Sequence, residues 1–439
     1  MGSEPLPTDI APDRHVVWKT PLPRGHSSPV IHGDRIYVTA ARDGKLLTVA
    51  LDRRNGTILW ERPAPLVKLE EIHRIGSYAQ PSCVTDGERV VSFFGSSGLL
   101  CYDRSGKQLW HVPMGPFKNT FGTGGSPIMV GDAVILAQDH DEDSFVAAFD
   151  KRTGQEVWKT DRSEFPRGYS SPIVWDNAGV PQVVVVGTLR VAGYDLKSGD
   201  EAWTVRGLAR IQGMTPVVGE GGMLFVTAWT SGGDDTDRIE ADPYGDVVKE
   251  YDANKNELLE KNEIPEGPLR RRFPQIDRDK DLKITESEYE FMRNIFHNAH
   301  NVCLAVKPGG RGEITKSHVV WHYKKSLPYI PSPVYYKGHL FMVKDGGIVT
   351  SVDARSGEPR KVGRVKGKSS YYSSPVAGDG KVYLLSQRGE LSVISAEAQW
   401  KEIATASFRE EAYATPALVD GRIYLRTIGH LYCFARGEE

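Results

Sequence analysis

Two twelve-residue stretches in the second half of the chain carry oxygen-bearing side chains at a spacing that suits one hard cation each. The first puts Asp252, Asn254, Asn256, Leu258, Glu260 and Glu263 at loop positions 1, 3, 5, 7, 9 and 12, and the second puts Asp277, Asp279, Asp281, Lys283, Thr285 and Glu288 there. Calcium takes side-chain oxygens at most of these positions, a backbone carbonyl at position 7 and both oxygens of a Glu at position 12. Leu259 and Ile284 fall at position 8, where an apolar residue can join two such loops as a pair. At position 6 the usual Gly is replaced by Glu257 and Leu282, and a Cβ in that sharp turn costs on the order of 1 kcal/mol, which weakens a site without abolishing it. The alternative is an acidic, solvated linker, but two correctly spaced loops favour calcium, in a fixed structural role. Carboxylates at positions 1, 3, 5 and 12 of the second loop, against amides at 3 and 5 of the first, predict tighter binding by the second.

These loops interrupt a repeat. A small residue or Gln followed by Pro opens a β-rich run at Ser28-Pro29, Gln80-Pro81, Ser126-Pro127, Ser171-Pro172, Thr215-Pro216, Ser332-Pro333, Ser374-Pro375 and Thr415-Pro416. Successive prolines are 52, 46, 45, 44, 117, 42 and 41 residues apart, so a period near 45 fails only across the fifth unit. About 72 extra residues lie there, between the predicted strands 223–229 and 301–307. A second mark is an Asp-x-x-(Thr/Ser/Asn)-Gly turn with Trp following, as in Asp52 to Gly56 and Trp60, Asp150 to Gly154 and Trp158, and Asp195 to Gly199 and Trp203. The Gly permits the positive φ of a tight turn, and the Trp is a rigid apolar plate for packing one unit on the next. Asp353 to Gly357 has no following Trp, and Trp400 has no such turn.

Within each unit, short alternating runs meet at Gly-Asp, Asp-Gly or Lys-Gly turns, as hairpins do. Four strands per period of about 45 residues is the arithmetic of a propeller blade. The expected fold is all-β: an eight-bladed β-propeller over residues 15–229 and 301–437, with a small helical calcium-loop pair at 230–300 inserted in blade five. The last unit ends near Phe434 without an outer strand, while His15 to Lys19 is an outer strand with no blade before it; the N-terminal strand should therefore complete blade eight and remove the open seam.

With these marks the chain resembles the pyrroloquinoline-quinone-like repeat family, which includes quinoprotein alcohol dehydrogenases and the propeller lipoprotein of outer-membrane assembly. Its insertion resembles an EF-hand pair. The likeness speaks to fold more than to activity, since one scaffold hosts unrelated functions. It implies an exported, periplasmic location. Met1-Gly2-Ser3-Glu4-Pro5 carries neither region of a signal peptide, and Met1-Gly2-Ser3 reads as a cloning scar in place of one. The 55 Lys+Arg and 57 Asp+Glu give a net charge of −2 with no basic stripe, which argues against nucleic acid, and no apolar run approaches the roughly 20 residues that cross a bilayer. Cys83, Cys101, Cys303 and Cys433 have no metal or haem spacing and read as buried strand residues, with a Cys83–Cys101 disulfide left open.

Residues just before each Ser-Pro mark should line the central funnel, on the face that the insertion overhangs. They are His26, Tyr78, Thr123, Arg167, Tyr169, Arg210, Gln212, Tyr329, Tyr371, Tyr372 and Tyr413, joined by Asp139 and Asp141 of an acidic run in blade three. Such a set suits a sugar or glycan, or else the tyrosines simply fill the taper of the channel. Three functions stay open. The favoured one is a calcium-binding extracytoplasmic propeller that binds a small molecule, a glycan or a docking protein. The alternatives are a dehydrogenase holding pyrroloquinoline quinone, with Asp139 or Asp141 as base, and a carbohydrate-acting enzyme using His26 or an acidic loop residue.

Overall fold

The computed structural model describes residues 5–66, 68–234 and 238–437; the Met1-Gly2-Ser3 start lies outside them. Among the described residues, eight blade sheets follow one another along the chain, each with four antiparallel strands from an inner to an outer one, and blade four gains a short fifth strand, Gly312–Glu313, parallel to its outer strand Glu201–Arg206. Blade one shows the pattern: Val30–His32, Arg35–Arg42, Lys45–Asp52 and Ile58–Pro63, with the two middle strands almost wholly buried. Blade eight is completed from the other end of the chain, because Val16–Pro21 pairs antiparallel with His430–Phe434.

Two recurring contacts hold blade to blade. At the inner edge, the backbone N–H of each Ser or Thr that opens a blade donates to the hydroxyl of its counterpart in the next blade. The series runs Ser28, Ser82, Ser126, Ser171, Thr215, Ser332, Ser374, Thr415 and back to Ser28, at 2.8–3.3 Å. It corrects the register of blade two, whose mark is Ser82-Cys83 and not Gln80-Pro81. The Gln80 amide instead donates to the Phe121 carbonyl at 2.8 Å.

At the outer edge, the indole N–H of Trp18, Trp60, Trp110, Trp158 and Trp321 donates to a carbonyl in the turn of the following blade at 3.0–3.1 Å. The turn glycine lies under that indole. A Cβ on Gly199 would stand 2.4 Å from Trp158, at a φ of +77°, so the position excludes side chains for two reasons at once. The two irregular marks explain each other. Trp400, in the turn of blade seven, lies back over Gly363 in the outer strand of blade six, so plate and glycine have exchanged sides of that seam.

Blade five contains Val217–Val218, Leu224–Ala228, Val302–Val306 and Val319–Tyr323, and the chain leaves it after the second of these. Between them lie helices α1 (Tyr244–Tyr251), α2 (Pro268–Ile276) and α3 (Glu286–Asn298). A two-residue ladder pairs Leu259 with Ile284. This unit has its own core, in which Tyr244, Leu259, Phe273, Ile284, Tyr289 and Phe296 are all buried. Thr285 starts α3 with a reciprocal cap, its hydroxyl accepting from the Glu288 N–H while the Glu288 carboxylate accepts from the Thr285 N–H. The unit touches blade three through an ion pair of Lys280 with Glu142, which also holds Lys118 at 2.7 Å. Cys83 and Cys101 are free and buried, as are Cys303 and Cys433, so the open disulfide is not formed.

Candidate ligand funnel and calcium loops

The loops that enter the inner strands converge on a cup of about 220 Å³. His26 and Tyr413 stack at 3.9 Å, Tyr372 lies 5.4 Å from Tyr413, Phe121 meets Tyr169 at 5.9 Å, and Trp229 stands edge-on to Tyr329 at 5.2 Å. The cup is therefore walled by aromatic faces with polar tips, a surface suited to a ring bearing hydroxyls. The Tyr169 hydroxyl is buried with no hydrogen-bond partner. Burial, with Arg426 and Arg24 nearby, lowers His26 to about 3, so its imidazole is neutral at ordinary pH.

Above the cup a wider space of about 670 Å³ opens beneath the insertion. Phe121, Tyr169, Ile211, Thr230 and Tyr329 line both, so cup and mouth are one funnel. Arg167 and Arg210 line the mouth, with Arg271, Arg272 and Gln275 of α2.

Of the residues expected there, His26, Arg167, Tyr169, Arg210, Tyr329, Tyr372 and Tyr413 meet in the funnel. The others turn away. Tyr371 is buried in the core between blades six and seven, its hydroxyl donating to the Gly367 carbonyl at 2.7 Å. Gln212 is fully buried and donates to the Ala209 carbonyl at 2.6 Å. Tyr78 packs on the blade one and two core, and the Thr123 hydroxyl donates to Glu70 at 2.8 Å. Asp139 lies in the blade three and four seam, gripped by Arg162 through contacts of 2.8 and 2.7 Å. Burial pushes that carboxyl up while the arginine pulls against it, and the double contact marks an ionised pair. Asp141 is held the same way by Arg167 at 2.5 and 2.9 Å and lines a small side cavity instead.

Phe121, Trp229 and the α2 arginines escaped the sequence reading. Phe121 lies five residues before Ser126, whereas His26 lies two before Ser28, so position relative to the mark did not single it out. The Arg270-Arg271-Arg272 run was visible, but its direction depends on how the insertion packs.

In the second loop, carboxylate oxygens of Asp277, Asp279 and Asp281 lie within 4.8 Å of one another. Asp277 is only 4% exposed, and its Oδ1 is buried with no partner while Oδ2 accepts from the Leu282 N–H at 3.2 Å. A buried carboxylate oxygen with no hydrogen-bond donor, set beside two further carboxylates, has the chemistry of a ligand for a hard cation. Glu288 reaches back over the loop, accepting from the Arg278 N–H at 2.8 Å. In the first loop, by contrast, Asp252 is satisfied by the N–H groups of Asn256 and Glu257. Glu257 and Leu282 sit at φ values of +63° and +71°, so both loops hold the left-handed turn despite a Cβ.

A scan of known families matches residues 10–134, 48–220 and 309–438 to the model described as outer membrane protein assembly factor BamB. The insertion falls between the last two segments. Among solved structures, BamB from Moraxella catarrhalis superposes over 96% of this chain and 98% of its own, with a TM-score of 0.61 at 14% identity. The computationally designed Ika8 protein superposes over 96% of this chain and 100% of its own, at 0.60 and 10%. These structures share the fold. No curated protein matches the chain, and no helix among the described residues is long and apolar enough to cross a membrane.

Proposed function

The chain belongs to the family described as outer membrane protein assembly factor BamB, and from that premise we propose that it works outside the cytoplasm as a binding propeller. Its insert-bearing face receives a partner, and the funnel holds a sugar-like ligand. One observation carries this reading over the enzymatic ones. Asp139 and Asp141, the carboxylates that the sequence offered for general-base work, lie off the funnel lining and are each held by an arginine through Nε and Nη2. An ion-paired carboxylate of this kind is a weaker base than a free one, because the arginine favours its charged form. The groups that face the funnel are mainly aromatic rings and guanidinium groups, which suit binding, with the neutral imidazole of His26 in the cup and Glu240 at the mouth.

The second loop binds calcium through Asp277, Asp279, Asp281 and Glu288, with the Lys283 carbonyl at position 7 and Thr285 at position 9. Its role is to stiffen the insertion, which Lys280 then fastens to Glu142 of blade three.

The test has two arms. Supplying pyrroloquinoline quinone and calcium with alcohols and aldoses should produce no quinone-dependent dye reduction; turnover would replace this reading with a dehydrogenase. On a glycan array the wild type should retain a subset of members that the Tyr169→Ala, Tyr372→Ala variant releases, with its melting temperature unchanged. Equal retention by both proteins would return the tyrosines to channel filling.

A further inference from the structure

Among the described residues, the mouth of the funnel carries more positive charge than its lining balances. Pro268, Arg271, Arg272 and Gln275 recur at helical spacing, so α2 turns one whole face to the space. Arg167 is neutralised by Asp141. Among the described residues, Arg210, Arg271 and Arg272 make no ion pair, and Glu240 is the one carboxylate on the lining. Arg210 and Arg272 crowd the same ring, their guanidinium carbons 5.9 and 5.4 Å from the centre of Phe296. The Nε of Arg210 is buried with no acceptor, and its Nη2 reaches only the Ser231 carbonyl, at 3.4 Å. Burial and neighbouring arginines lower the pKa of both Arg210 and Arg272. Unmatched cations at a partly desolvated mouth are unfavourable alone and become favourable around an anion, which a guanidinium grips with two parallel bonds.

We propose that the funnel takes an anionic saccharide, its ring against Phe121, Tyr169 and Tyr329 and its negative group held by Arg210, Arg271 and Arg272. This rests on the funnel reading above and narrows it. The space of about 670 Å³ is large enough for a charged sugar unit above one seated in the 220 Å³ cup. A uronate carboxylate and a sulfate ester make the same demand on the arginines.

A glycan array with matched neutral, uronate-bearing and sulfated members tests it, read with the wild type, with Arg271→Gln and with the Arg271→Gln, Arg272→Gln pair. Arg271 is exposed, so its variant should leave the fold undisturbed. The wild type should retain charged members at least tenfold better than neutral ones, and comparing uronates with sulfates says which group is used. The single variant should weaken that preference and the pair abolish it, while melting temperatures stay put. Equal retention of neutral and charged members, or a preference that survives in the pair, overturns the anionic site and leaves the funnel reading standing. Retention of no member by the wild type overturns both.

Discussion

The ring and its insertion are stabilised in different ways. In the ring no single contact stands out. Neighbouring blades share a hydroxyl bond at the inner edge, and most share a tryptophan over a glycine turn at the outer edge, so cohesion is spread around a closed circuit. The insertion concentrates its specification in a small apolar core and two loops of oxygens, one of which buries an unsatisfied carboxylate. The ring therefore depends on closure, whereas the insertion offers a cluster of carboxylates at which a cation would add stability.

The sharpest way to break this contrast is to open the ring. Removing residues 1–20 deletes the strand paired with His430–Phe434 and exposes that edge. Losing Trp18 alone should cost about 3–5 kcal/mol, and the truncated chain should melt far below the full one, with or without calcium. An unchanged melting temperature would contradict the blade assignment.

A smaller effect separates the two regions by pH. Glu70, under the blade two and three entry loops, is buried and accepts from Thr123, and burial raises it from 4.5 to about 7. Between those values the folded chain binds more protons than the unfolded one, so stability is lost as pH rises from about 4.5 through 7. The full effect is on the order of 3 kcal/mol. Replacing Glu70→Gln keeps a partner for Thr123 and should flatten the fall in melting temperature between pH 5 and 8. A slope the same as wild type would mean that Glu70 does not titrate there.

The smallest effect belongs to the ion. Calcium at a hundred times its dissociation constant should stabilise the insertion by about 2.7 kcal/mol and leave the ring's transition in place. In calorimetry, Glu288→Gln should lose more affinity than Glu263→Gln, because the second loop holds more carboxylates and the buried, unpartnered oxygen of Asp277. The reverse order would put the stronger site in the first loop.

What could be read without coordinates follows the same division. The period of the Ser-Pro marks carried blade number, closure and the position of the insertion, because a repeat states its geometry eight times. It misplaced blade two by two residues, since Gln80-Pro81 imitates the mark while Ser82 makes the bond. Trp400 looked anomalous until its seam was seen from the other side. Funnel residues were harder. Tyr371 and Tyr372 are neighbours in sequence, yet one points into the core and the other into the cup. That choice is made by the packing of blades six and seven. The α2 arginines were beyond reach for a similar reason, since only the docking of the insertion aims them at the mouth.

The bond from Thr215 to Ser332 spans 117 residues of sequence and is 2.8 Å long, like its neighbours that span about 45. Closing so much longer a loop adds only about 0.8 kcal/mol of chain entropy, and the circuit shows no sign of the detour. A wheel of this kind has no privileged spoke. Any of its eight hairpins is a socket into which a foreign unit can be plugged at nearly constant expense to the whole. What the host then acquires is a second unit over its mouth, which brings the arginines of α2 to the funnel and the carboxylates of Asp277, Asp279 and Asp281 to the same molecule.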